Sequence, residues 1–354
     1  MKKNQKILVS MKKLYAFGEK RAIDLSLSEN PLGCSPLVTG ALKNIKVVLN
    51  DYPLPNSALL KKKLASLTGL KPANFFIANG SEAIICTLPR LFMGKNAEVL
   101  IPSLTFPMFE TSSLLADLQV KKVPMTDVLG IDLVAMKKTL TKKTKLIFLC
   151  NPNNPTGSVL TKKEIINFLD LLPKNILVVI DEANIEFGAQ SLLSAVKKRP
   201  NLIILRTFSK GFGLANLRVG FAVASEKIVK ILEDISQPFA ISGLSEELII
   251  TALADKKFIK KTKKFVNQQR EIISRQLVRL GFTVFPSSAN NLFIKLPAKV
   301  SSNKFLKMLE KNNLSLVNGN NFSGFDNRFF RISIRSKAIN KKFLSIITKF
   351  LNSF

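Results

Sequence analysis

The stretch Asn201-Leu-Ile-Ile-Leu-Arg-Thr-Phe-Ser-Lys210-Gly-Phe-Gly-Leu-Ala-Asn-Leu-Arg218-Val-Gly220 constrains the fold more than any other part of the chain. It opens with an apolar run of strand length, and a second run, Arg218 to Ala224, closes it. The loop between them is rich in hydroxyls and glycine and holds a single lysine. Lys210 follows Thr207 and Ser209 and is flanked by Gly211 and Gly213, an unusual setting for a solvated charge. A partly desolvated amine loses proton affinity and becomes nucleophilic. Arg218 adds a guanidinium suited to a phosphate. Read alone, Lys210 is more simply a surface lysine in a loop. Gly211-x-Gly213 lacks the third glycine of a dinucleotide fingerprint.

Other apolar runs also hand over to polar residues. Asn175-Ile-Leu-Val-Val-Ile180 ends in Asp181-Glu182-Ala183, placing a carboxylate where it is costly unless a cation sits beside it. Lys145-Leu-Ile-Phe-Leu-Cys150 delivers Asn151-Pro-Asn-Asn154-Pro-Thr-Gly157, whose two Asn-Pro steps force an irregular loop. Phe75-Phe-Ile-Ala turns through Asn79-Gly80-Ser81-Glu82 into a helix expected over 83–92. Such a helix start offers N–H groups and a favourable dipole to a phosphate. Glu98-Val-Leu-Ile-Pro102 leads to Thr105-Phe106-Pro107-Met108-Phe109. Each polar group lies at a strand end, where ligands collect in open α/β sheets.

In order and spacing these segments resemble the class I/II (fold-type I) aminotransferases, enzymes of pyridoxal 5'-phosphate (PLP), and within them the histidinol-phosphate aminotransferases. Thr207-x-Ser209-Lys210-x-x-Gly213-Leu214-x-x-x-Arg218 is similar to the cofactor-lysine segment, and Asn151–Gly157 matches the Asn-Pro-Asn-Asn-Pro-Thr-Gly motif throughout. The resemblance implies that Lys210 forms the Schiff base and Asp181 faces the pyridine nitrogen. Asn154 is then directed to the 3-oxygen, and Phe106 stacks on the ring. Gly80, Ser81, Glu82, Thr207, Ser209 and Arg218 hold the cofactor phosphate. It also implies that Tyr52, in Asn50-Asp-Tyr-Pro-Leu-Pro55, reaches from one subunit of a homodimer to the partner's phosphate. Ser28-Glu29-Asn30-Pro31-Leu32-Gly33 resembles the loop lying over the substrate, so Asn30, Leu32 and Gly33 are expected there. On residues alone this loop is equally a simple Asn-Pro turn, and Phe106 equally a core aromatic.

Downstream, helical spacing extends from Ser245 to Leu280, strands are expected at 283–286 and 291–296, and a helix at 302–311. The last strand, Phe329-Phe-Arg331-Ile-Ser-Ile-Arg335, matches the family's arginine clamp for a substrate anion at Arg331. The chain departs from the family pattern at three places: Asn184 replaces a tyrosine, Asn318 a second arginine, and Arg335 a glycine. If the strand reaches residue 335, the two arginines share a face but stand about four rises, or more than about 10 Å, apart.

The formal charge is +30, yet the lysines come in small groups along the whole chain without interleaved aromatics, as on a solvated surface. Three scattered cysteines suit a reducing cytoplasm and offer no metal spacing, and there is no histidine for acid–base work. No apolar stretch reaches spanning length, and Ile7-Leu-Val9 is too short for a signal-peptide core. The expectation is therefore an α/β fold of the aspartate aminotransferase type, with a mostly parallel central sheet flanked by helices. Residues 46–244 form a large PLP-binding domain; 1–45 and 245–354 form a smaller one. The function expected is transamination from an amino donor, histidinol phosphate first, to an oxo acid such as 2-oxoglutarate, with no metal, nucleic acid or membrane. Threonine-phosphate decarboxylation, an aromatic amino donor, and a basic nucleic-acid binder or PLP-fold regulator are the alternatives.

Overall fold

The computed structural model describes residues 22–46, 48–322 and 324–353. The basic start, with Ile7–Val9, lies outside the described residues, as does the first part of the expected 1–45 segment. The core is a seven-stranded sheet: β1 (Phe75–Ala78), β2 (Glu98–Pro102), β3 (Gln119–Val123), β4 (Thr144–Cys150), β5 (Leu177–Asp181), β6 (Leu202–Thr207) and β7 (Gly220–Val223). Their spatial order is β1-β7-β6-β5-β4-β2-β3, and β7 alone runs against the others.

Helices cover both faces, so the inner strands are largely apolar rather than alternating, while the edge strand β3 (Gln-Val-Lys-Lys-Val) alternates. Ile147, Leu149, Val178, Ile180 and Ile204 pack with Leu64, Ile165, Phe168 and Ile249 on one side. Their chain neighbours Leu146, Phe148, Val179, Ile203 and Leu205 pack with Ile84, Phe109 and Leu232 on the other. The first cluster takes in helices Pro36–Asn44 and Gly243–Ala254 through Val38, Leu248 and Ala252.

A second sheet, from β8 (Thr283–Val284), β9 (Asn291–Lys295), β10 (Val317–Asn318) and β11 (Phe329–Ser333), is ordered β10-β11-β9-β8. It packs on helices Lys256–Arg279, Ser302–Lys311 and Lys337–Leu351 through Val266, Phe305, Phe330 and Phe343. Two short segments pin it to the large sheet. Asn291 donates to the Pro155 carbonyl at 2.6 Å, and a Cβ on Gly157 would lie 2.0 Å from Ser287 Oγ.

Several boundaries differ from the sequence expectation. The helix expected over 83–92 begins at Gly80 and ends at Thr87, and Leu88-Pro89 opens a 3-10 segment to Phe92; proline cannot continue an α-helix interior. The helix expected over 245–280 is two helices parted at Asp255, whose carboxylate accepts from Phe258 N at 2.9 Å and caps the second. β11 stops at Ser333, so Arg335 lies beyond the strand. No helix among the described residues is long and apolar enough to cross a membrane.

Candidate active site

A cavity of about 340 Å³ opens at the carboxyl ends of the parallel strands, a volume within the range of small-molecule sites. Its floor comes from β4 and β5: Cys150 and Asp181 are the last residues of the two strands and are register partners. Asp181 is only 4% exposed, and Ala183 N donates to it at 2.9 Å. Burial pushes its carboxyl up to about 6 despite the opposing field of Lys210. Lys210 lies in the loop after β6. Burial, and then the Arg331 guanidinium, lower its proton affinity, while Asp181, Cys150 and Glu186 oppose that shift. A buried carboxylate near a depressed amine prepares the site for a cationic ring and for a nucleophile.

One end of the cavity is a cradle for an anion. Helix Gly80–Thr87 points its N-terminus into it, with Gly80, Ser81 and Glu82 on the wall. A Cβ on Gly220 of β7 would lie 2.2 Å from Ser81 N, so the bare glycine lets the helix start sit directly on the strand. Thr207 donates to Ser209 at 3.0 Å. Arg218, held at φ 53°, donates to the Ala215 carbonyl at 3.0 Å and lies 3.5 Å from Ser209 Oγ. A Cβ on Gly80 would come within 2.9 Å of Arg218 Nη2.

Phe106 lines the adjoining wall, edge-on to Phe109 at 5.8 Å between ring centres. Asn154 faces the cavity from a loop that Asn153 fixes. Asn153 donates to the Leu104 carbonyl at 2.9 Å and accepts from Thr105 at 2.8 Å. Arg331 reaches in from β11, donating to Asn154 Oδ1 at 2.8 Å and to the Ser26 carbonyl. Asn184 Oδ1, on the same wall, is buried without a hydrogen-bond partner among the described residues.

The cavity thus gathers Lys210, Asp181, Gly80, Ser81, Glu82, Phe106, Asn154, Thr207, Ser209, Arg218 and Arg331. Asn30, Leu32, Gly33 and Tyr52 are not on its wall. Asn30 donates to the Gly211 carbonyl at 2.8 Å, and a Cβ on Gly213 would fall 1.9 Å from the Gly33 carbonyl oxygen; these residues brace the lysine loop from behind. Tyr52 is 83% exposed, its ring 5.0 Å from that of Phe239. Asn318 is a turn cap, accepting from Asn320 N at 2.9 Å, while Asn321 and Phe322 face the cavity. Arg335 does not extend the reach of Arg331: it pairs with Glu29 at 2.7 Å and donates to the Leu27 carbonyl at 3.3 Å.

Sequence reasoning missed Ser26, Leu27, Met108, Cys150, Val317 and Phe322 on the wall. Cys150 carried the one available signal, as the last residue before the Asn-Pro loop.

PLP, the cofactor that the sequence resemblance implies, matches these donors. A phosphate suits the cradle of N–H groups, hydroxyls and Arg218, and a protonated ring nitrogen suits Asp181. The orphaned Asn184 oxygen also leaves acceptor capacity on the wall.

A family model described as aminotransferase class I and II matches residues 20–347. A histidinol-phosphate aminotransferase 2 of Carboxydothermus hydrogenoformans is 32% identical over 326 residues, 91% of this chain and 89% of that protein. The crystal structure of the histidinol-phosphate aminotransferase of Clostridium acetobutylicum superposes with a TM-score of 0.86 at 25% identity, covering 94% of this chain and all of the other. Two structures share the fold at lower identity. One is the Sinorhizobium meliloti histidinol-phosphate aminotransferase in complex with pyridoxal-5'-phosphate (TM-score 0.87, 24%, covering 97% and 95%). The other is an L-threonine-O-3-phosphate decarboxylase from Porphyromonas gingivalis (0.82, 23%, covering 93% and 99%).

Proposed function

The chain belongs to the class I and II aminotransferases, and on that premise we propose that it transfers the amino group of histidinol phosphate to 2-oxoglutarate, using PLP held on Lys210. The observation that carries the reading is one cavity whose wall joins an amine of lowered proton affinity, a buried strand-end carboxylate, an anion cradle and a second arginine. When bound, the cofactor supplies an electron sink for the bond broken at the substrate Cα.

The residues divide the work. Gly80, Ser81, Thr207, Ser209 and Arg218 fix the cofactor phosphate, and Phe106 orients its ring. Asp181 keeps the ring nitrogen protonated, because a buried carboxylate is stabilised by a cation beside it. Asn154 donates to the 3-oxygen. Lys210 would hold the cofactor through its amine and, with the amino donor bound, would take up and return the proton at the substrate Cα. Its lowered proton affinity favours the neutral amine needed for that role. Arg331 binds the substrate anion. Glu29 neutralises Arg335, so the substrate's phosphate meets one arginine, Arg331, rather than two, a difference of about 1.5–3 kcal/mol.

The reading includes a cytoplasmic homodimer in which Tyr52 serves the neighbouring subunit. Leu49, Tyr52 and Leu54 are all more than half exposed, as a face covered by a second copy would be. It keeps 46–244 as the cofactor domain and 1–45 with 245–354 as the smaller one, with helices Pro36–Asn44 and Gly243–Ala254 packed on the large sheet. Single-turnover reactions with histidinol phosphate, threonine phosphate, phenylalanine and glutamate test the choice of donor. Conversion of the cofactor to its amine form, fastest with histidinol phosphate, supports it. Carbon dioxide release from threonine phosphate would replace it with the decarboxylase reading.

A further inference from the structure

Packed against Gly211, the residue after Lys210, lies a carboxylate that the reaction above does not use. Glu186 sits in the short turn Ile185–Phe187 after β5, its side chain only 9% exposed. A Cβ on Gly211, the residue next to Lys210, would lie 2.6 Å from Glu186 Cγ and 2.8 Å from its Cβ. The bare glycine therefore lets the lysine loop rest on this side chain. Glu186 Oε1 is 3.6 Å from Arg206 Nη1, while Oε2 is buried without a hydrogen-bond partner among the described residues. Arg206 is committed elsewhere: its Nε donates to Glu182 at 2.8 Å and its Nη2 to Ser191 at 2.8 Å. Glu182, fully buried, also accepts from Leu192 N at 2.6 Å and from Ser191 at 3.0 Å. One arginine thus stands between two buried carboxylates, and Glu182 holds the better geometry.

We infer that Glu186 is a positioning residue that, packed under the Gly211 turn, biases the protonation of Lys210. The inference rests on Lys210 being the reacting amine. The charged groups acting on Glu186 are Arg206 of β6, Glu182 of the turn after β5, and Lys210 itself. The long helix Lys256–Arg279 contributes Val266 to the apolar cluster that contains Phe187. Burial outweighs Arg206 and pushes the Glu186 carboxyl up to about 7. It therefore gains and loses its proton near neutral pH. Ionised, it raises the proton affinity of Lys210; protonated, it does not. The two groups titrate as a coupled pair rather than separately.

The test reads the lysine and not turnover. The full chain, freed of cofactor, is pulsed with acetic anhydride between about pH 5 and 10, and acetylation of Lys210 is measured by peptide mass spectrometry. Glu186→Gln should reach half-labelling about half a pH unit or more below wild type. That is about a threefold gain in labelling on the acid side of the midpoint. Glu186→Asp should fall between them, and the curves should converge below the pH at which Glu186 ionises. A folded Glu186→Gln chain whose curve superimposes on wild type would overturn the inference. If that variant does not fold, the wild-type chain decides. A two-step labelling curve, its lower step coinciding with loss of a buried carboxyl band in the infrared, supports the coupling; a single step with no carboxyl change overturns it. Borohydride reduction of the loaded enzyme separates this from the parent reading: a missing Lys210 adduct removes the lysine's cofactor role, while the labelling curves still judge Glu186.

Discussion

Arg331 of β11 donates through Nη1 to Asn154 Oδ1 at 2.8 Å, joining the smaller sheet to the loop that follows β4. The same guanidinium also holds the Ser26 carbonyl. The proposed anion clamp and the proposed ligand of the cofactor 3-oxygen are therefore one hydrogen-bonded unit. Arg331→Ala should raise the KM for the amino donor by about 10- to 100-fold, the value of one or two charge-assisted contacts. PLP affinity should fall much less, since the cradle is built from other elements. Steady-state kinetics beside a fluorescence titration of PLP checks this; an equal loss of both would show that Arg331 only supports Asn154.

Asp181 gives a stability prediction with a definite sign. Its folded-state pKa, about 6, lies above its ordinary value of 3.8, so between those values the native chain binds more protons than the unfolded one. Stability therefore falls as pH rises through that window, and above it the cofactor-free protein carries a penalty of about 3 kcal/mol. Asp181→Asn should raise the Tm of the cofactor-free chain at pH 8, and the difference should shrink toward pH 4. With PLP present the same substitution should lower turnover by about 100-fold or more, because an amide cannot hold the ring nitrogen protonated. Calorimetry showing the variant less stable than wild type at pH 8 without cofactor would contradict this.

Tyr52 lies outside its own chain's cavity and is 83% exposed, and the proposal gives it a partner in another copy. Active protein should sediment as a dimer at assay concentration. Tyr52→Phe should weaken PLP binding by about tenfold, the loss of one hydrogen bond to a charged group. A fully active monomer in the ultracentrifuge would remove Tyr52 from the site.

The parts of the site legible in the sequence are those where chemistry is local. Asn151–Gly157, Asp181 and Thr207–Arg218 are short segments whose own residues fix the turn, and the strands feeding them are continuous apolar runs. What could not be read depends on distant partners. Glu29 and Arg335 meet across 306 positions, and Asn30 meets Gly211 across 181. Neither contact leaves a periodic or compositional trace. Glu186 carries no local signal of its role, because its packing under Gly211 and its burial arise only on folding. The break at Asp255 was hidden because the apolar spacing continues on both sides of it.

The central claim is that Lys210 carries the cofactor. Purified protein loaded with PLP should be yellow. Borohydride should bleach it and leave PLP covalently attached to the peptide containing Lys210, and Lys210→Ala should abolish the adduct while the chain stays folded. A protein that remains colourless with added PLP, or an adduct mapped to a different lysine, would contradict the account.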